Sequence, residues 1–144
     1  MKKIVIFISL LLLCGCSTVG TKPTAVHPCT PNLTESGSLF TGTVYKCSKV
    51  YSKISKAKAF DKILSSMATN GYHINNTNKA LGLISAALPV IGGQGQTVPM
   101  NVIINGGNNK TIKVNCTINL PGGCVAGGDE IANYFCTVYK ALEK

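Results

Sequence analysis

Two cysteines close an apolar run in ISLLLLCGCSTVG (residues 8–20), and five more follow it: Cys29, Cys47, Cys116, Cys124 and Cys136. Thiols can serve as nucleophiles, metal ligands or cross-links. None of the five later cysteines forms a C-x-x-C pair, so neither a thioredoxin-like redox motif nor a zinc knuckle is indicated, and disulfide staples are the expected use. The carboxylates are Glu35, Asp61, Asp129, Glu130 and Glu143. Glycoside hydrolysis needs two such groups facing each other across a cleft, whereas Asp129 and Glu130 are sequence neighbours, Asp61 sits between lysines, and Glu143 is terminal. Of the two histidines, His27 lies in a Pro-rich stretch and His73 reads as a surface or edge residue near a strand start. A hydrolytic site would have to recruit His73, and no nucleophile-elbow sequence accompanies it. No His/Asp/Glu cluster has metal-ligand spacing. The glycine-rich stretches GGQGQ and GGCVAGGDE lack the Lys-Ser/Thr of a phosphate loop, and the second runs into two acids. These observations predict a non-enzymatic chain with no catalytic residue, no metal and no cofactor.

The chain opens Met1-Lys2-Lys3 and continues without charge from Ile4 to Leu13. That is the plan of a signal peptide, and the run is about half the ~20 residues that a permanent membrane span requires. Its end, Leu13-Cys14-Gly15-Cys16, resembles the lipobox of bacterial lipoproteins: an aliphatic residue, a tolerated small residue, Gly or Ala, then the modified Cys. The resemblance implies that residues 1–15 are a removable signal peptide and that Cys16 carries a diacylglyceryl group and an acylated amine (palmitate or a related chain). Two or three acyl chains give stable anchoring where one gives only marginal binding. Cys14 would need Leu13 in the small-residue slot and leaves with the signal. Ser17 after the anchor, in place of Asp, implies export to the outer membrane, facing the periplasm or the cell surface, or retention on the cell membrane if the source is Gram-positive.

Lysine supplies all 14 basic residues, and the full chain has a net charge of +9. Without arginine, no bidentate fork is available for phosphate or carboxylate, so any anion binding would be diffuse and salt-sensitive. Lys46, Lys49, Lys53, Lys56, Lys58 and Lys62 crowd one short stretch with only Asp61 in opposition. They are either a solvated face or a patch for an anionic envelope polymer such as lipopolysaccharide or cell wall. Nucleic acid is not an expected partner, because the aromatic interleaving of a single-strand binder is weak.

The positioning elements follow from periodicity. Residues 16–38 are rich in Ser, Thr, Pro and Gly, with Pro23, Pro28 and Pro31 opposing helix and central strand alike, and read as a lipid-anchored tether before a single domain over 39–144. Residues 40–51 read as a strand. Ser55 can cap a helix to about Asn70 with Ala57, Phe60, Ile63, Leu64 and Met67 on one face, closed by Gly71 with Tyr72 packing back. Residues 72–88 read as strand, Asn-rich turn and strand. Val98, Met100, Val102 and Ile104 share one face of the next strand, and NGGNN (105–109) turns into Ile112, Val114, Cys116, Ile118 and Leu120, which alternate with polar residues. A last helix begins at Asp129 and Glu130, favourable against the macrodipole, with Ile131, Phe135, Val138 and Leu142 as its stripe. The expected fold is α+β, an antiparallel sheet of about four to five strands with two helices packed on one face. If the last helix doubles back over its strand, Cys116 (~13 Å from the strand's end) and Cys136 (~10 Å along the helix) come level, which suggests a Cys116–Cys136 disulfide.

AFDKILSSMATNGYHINNTNKALGLISA (residues 59–86) resembles small envelope lipoproteins with helix-grip domains, such as the C component of the outer-membrane β-barrel assembly machine. The resemblance covers under a quarter of the chain and implies an accessory or scaffold role with an envelope protein as partner. The alternative is a binder of anionic envelope polymer through the lysine run.

Overall fold

The computed structural model describes residues 22–23, 27–89, 97–106 and 110–143. Among these residues, seven strands and two helices succeed one another: β1 (Lys22–Pro23), β2 (Thr34–Ser38), β3 (Gly42–Tyr51), α1 (Lys56–Thr69), β4 (His73–Asn78), β5 (Leu83–Pro89), β6 (Thr97–Gly106), β7 (Ile112–Leu120) and α2 (Gly128–Lys140). The strands form one sheet in the order β1-β2-β3-β7-β6-β5-β4, and every neighbouring pair is antiparallel. The α+β class and the antiparallel sheet with two helices stand as expected. The strand count is higher, because part of the expected tether belongs to the sheet. β2 pairs along β3, two-residue β1 pairs with β2, and Cys29, Thr30 and Leu33 are buried. Proline excludes a central strand but not an edge one, and Pro23 lies on the outermost strand.

Period-two alternation carries the middle of the sheet. Val98, Met100, Val102 and Ile104 of β6 and Ile112, Val114, Cys116, Ile118 and Leu120 of β7 are all buried, in one cluster with the apolar stripes of both helices. Ser55 caps α1, its hydroxyl accepting from the Lys58 N–H at 3.3 Å. The helix ends in a paired closure: the Tyr72 N–H donates to Met67 O at 3.1 Å and the Gly71 N–H to Ala68 O at 3.3 Å, with Gly71 at φ 80°. Its buried face is Ala59, Phe60, Ile63 and Met67, so Ala57 is replaced by Ala59 and Leu64 is only half-buried. In α2 the stripe widens to take in Cys136 and Tyr139, while Leu142 lies beyond the helix.

Hydrogen bonds between side chains and α2 carbonyls seat that helix. The Tyr72 hydroxyl donates to Tyr134 O at 3.0 Å, the Tyr51 hydroxyl to Tyr139 O at 3.1 Å, and the Ser66 hydroxyl to Thr137 O at 3.2 Å. Burial pushes the Tyr72 phenol up to about 12. No helix among the described residues is long and apolar enough to cross a membrane.

Candidate functional site

Cys29 and Cys136 form a disulfide, with Cα atoms 5.7 Å apart and a sequence separation of 107. The expected Cys116–Cys136 bond is therefore not made. α2 does return over the sheet, but Tyr139, one turn along from Cys136, fills the space over β3 and β7, and Cys136 faces the segment before β2 instead. His27 stands beside the bond, its Nδ1 3.1 Å from the Cys29 sulfur and 3.5 Å from the Cys136 sulfur. The Cys29 backbone N–H also points at that nitrogen, at 3.4 Å. These three residues have ligand atoms within 4.8 Å of one another, a grouping that soft metals favour. Metal binding needs thiolates, which the closed disulfide does not offer. Cys136 also borders a groove of about 330 Å³ between the helices, lined by Ser66, Asn70, Asn133 and Thr137 among others.

Cys116 instead lies directly opposite Cys47 in the β3–β7 ladder, and both thiols are buried. The Tyr139 hydroxyl is buried against them and makes no hydrogen bond of ordinary geometry; the two sulfurs are its polar neighbours. Burial pushes the Cys116 thiol up to about 12 and raises Cys47, and desolvation drives the Tyr139 phenol far above its ordinary value. Neutral, inert thiols are the result. Cys124 is half-buried in the loop before α2.

The six lysines do not form a single face. Lys49 pairs with Glu143 and lies 5.7 Å from the Tyr51 ring centre, and Lys56 donates to Ala80 O at 2.7 Å. Lys46 is exposed on β3, Lys53 is exposed in the β3–α1 connection at φ 66°, and Lys58 and Lys62 lie a turn apart on α1. Asp61 is held by Lys79 at 2.7 Å, and Glu130 accepts from the Tyr134 hydroxyl at 2.6 Å. His73 is exposed at the start of β4, the edge strand farthest from β1.

A further feature gathers at the end of the sheet where β2 turns into β3. Leu39, Phe40 and Val125 are exposed by 48%, 91% and 82%. The Gly123 N–H donates to Leu39 O at 2.7 Å and so ties the β2–β3 turn to the β7–α2 loop. A Cβ on Gly122 would lie 2.5 Å from Phe40 O, so only glycine permits that approach. Beside it is a groove of about 380 Å³ lined by Leu39, Tyr45, Val125 and Glu35 among others. Burial first, then the Glu35 charge, raises the Tyr45 phenol.

No family model matches the chain, and no curated protein does. The crystal structure of Ara h 8.0201 is similar at 12% identity and a TM-score of 0.44, over 69% of this chain and 95% of that one. That likeness is too slight to assign an activity.

Cys16 lies outside the described residues, as do 90–96 between β5 and β6. Sequence reasoning missed His27 as a neighbour of the disulfide, because it read the whole stretch before β2 as tether. Only Pro28 separates His27 from Cys29, a proximity that became informative once Cys29 was pinned to α2.

Proposed function

We propose that the chain is an outer-membrane lipoprotein, anchored by lipid on Cys16, whose domain acts without catalysis as an accessory or scaffold subunit of an envelope assembly. The observation that carries the reading is the opening segment: a basic flank, a short apolar run and Leu13-Cys14-Gly15-Cys16. The disulfide between Cys29 and Cys136 is in keeping with an oxidising compartment. In this reading residues 1–15 are removed, both helices cover the inner face of the sheet, and the exposed face of the sheet or the lysine-bearing surface meets the partner.

A second reading is favoured by the exposed Lys46, Lys53 and Lys58: binding of an anionic envelope polymer. Amine-reactive cross-linking in intact cells, followed by mass spectrometry of adducts on Lys46 to Lys62, separates the two. One dominant protein adduct supports the scaffold. Absence of a protein adduct together with salt-sensitive co-sedimentation on cell wall replaces it with the polymer binder.

A further inference from the structure

Charge is segregated along the sheet. Residues 36–45, which make the β2–β3 turn and its flanks, contain no charged side chain, and neither do residues 114–128, which run through the end of β7 and the loop to α2. These are the segments that present Leu39, Phe40 and Val125. At the other end of β3 lie Lys49, Lys53, Lys110 and Lys113, the last paired in register with Val50 and Lys110 accepting a backbone bond from Ile54. The β2–β3 and β7–α2 loops therefore make an uncharged apolar tip, with Glu35, Asp129 and Glu130 at its margin, and the other end of β3 is basic.

The direction of β1 says which end faces the anchor. Lys22 pairs with Glu35 and Pro23 with Thr34, antiparallel to β2, while β2 itself runs toward the apolar end. β1 therefore runs away from the apolar end, with Lys22 its residue nearer to that end. Cys16 precedes Lys22 by six residues, a reach of at most about 22 Å. Six positions of β3 separate Tyr45, level with Glu35, from Tyr51 at the basic end, or about 20 Å. A chain reversal takes up about four residues, so a path turned back from β1 falls well short of that end.

We infer that Leu39, Phe40 and Val125 form a bilayer-seating surface that rests in the headgroup–acyl boundary of the membrane holding the Cys16 lipid. The inference rests on the lipoprotein reading. Hydrocarbon side chains at the tip, with the carboxylates of Glu35, Asp129 and Glu130 set back at its margin, fit that boundary, and the Gly123–Leu39 bond holds two loops as one tip, so seating requires no ordering of separate segments. The basic end then points away from the membrane, toward soluble partners or polymer.

The chain contains no tryptophan, so F40W, V125W and V50W each install a single reporter in the full-length protein, extracted from membranes and reconstituted in phosphatidylethanolamine–phosphatidylglycerol vesicles. Val50 is exposed near the basic end and serves as the control. Tryptophan at 40 and at 125 is expected to shift to shorter wavelength and to be quenched about twofold or more by lipid brominated in the acyl chain, as for a group ~5–10 Å into the boundary. Tryptophan at 50 stays unshifted and unquenched. The mass of the mature N-terminal peptide is measured on the same sample. A lipidated peptide with no quenching at 40 and 125, or equal quenching at 50, overturns the seating surface and leaves the anchor standing. An unlipidated N-terminus overturns the lipoprotein reading, and the seating surface falls with it.

Discussion

Opening the Cys29–Cys136 bond tests how much of this domain's stability lies in one covalent link. The bond spans 107 residues, from the segment before β2 to the middle of α2, and so closes most of the domain into a single loop. For a loop of this size, the loss of chain entropy in the unfolded state corresponds to about 4.8 kcal/mol at 25 °C. That is a large share of the ~5–15 kcal/mol by which domains of this kind are stable. Urea unfolding of the same protein with and without a phosphine reductant measures it directly, with the C29A/C136A variant as a check that involves no buried polar replacement. With m at about 3 kcal/mol per molar urea, the midpoint should fall by at least about 1.6 M, and by more for a smaller m. Reduction and the double variant should agree. A shift below about 0.5 M in both would refute the reasoning, because it would mean that residues 27–33 detach locally and the rest of the fold does not use the loop.

Other expectations concern buried polar groups and helix ends. Tyr139→Phe removes a buried hydroxyl that makes no regular hydrogen bond, so stability should stay level or rise by up to about 1 kcal/mol in thermal unfolding; a loss above that would show the hydroxyl to be well bonded to the thiols. Tyr72 and Tyr134 are each raised from 10.0 to about 12, by desolvation first, so they stay protonated in the fold where the unfolded chain ionises. Their stabilisation is complete below pH 10 and is lost as pH climbs from 10 to 12; absorbance of tyrosinate should lag pH 10 in the native protein, and Tyr72→Phe should shrink the alkaline loss. Iodoacetamide at neutral pH should spare Cys47 and Cys116 until the protein is unfolded, since both are buried with raised thiol values; labelling of either in the native state would contradict their placement. Ser55→Ala should cost about 1 kcal/mol in the same urea assay, through loss of the cap on α1.

What the sequence by itself determined were the elements whose pattern is local. Alternation over a few residues sufficed for β6 and β7, because a strand buried on one face repeats every two positions. Ser55 and Gly71 marked the ends of α1, because capping is decided within one turn. The short β1 and β2 escaped this logic: TESGS has no apolar face, and its place in the sheet comes from pairing with β3 rather than from any preference of its own. Only the tertiary structure decided which cysteines meet. By setting β7 beside β3, the strand order brings Cys116 opposite Cys47, and the position of Tyr139 on α2 turns Cys136 toward Cys29. The apolar end likewise unites residues 39–40 with 125 through one backbone bond. Spacing along a chain reports periodicity, but contacts between segments more than sixty residues apart depend on the order of strands, which no local repeat encodes.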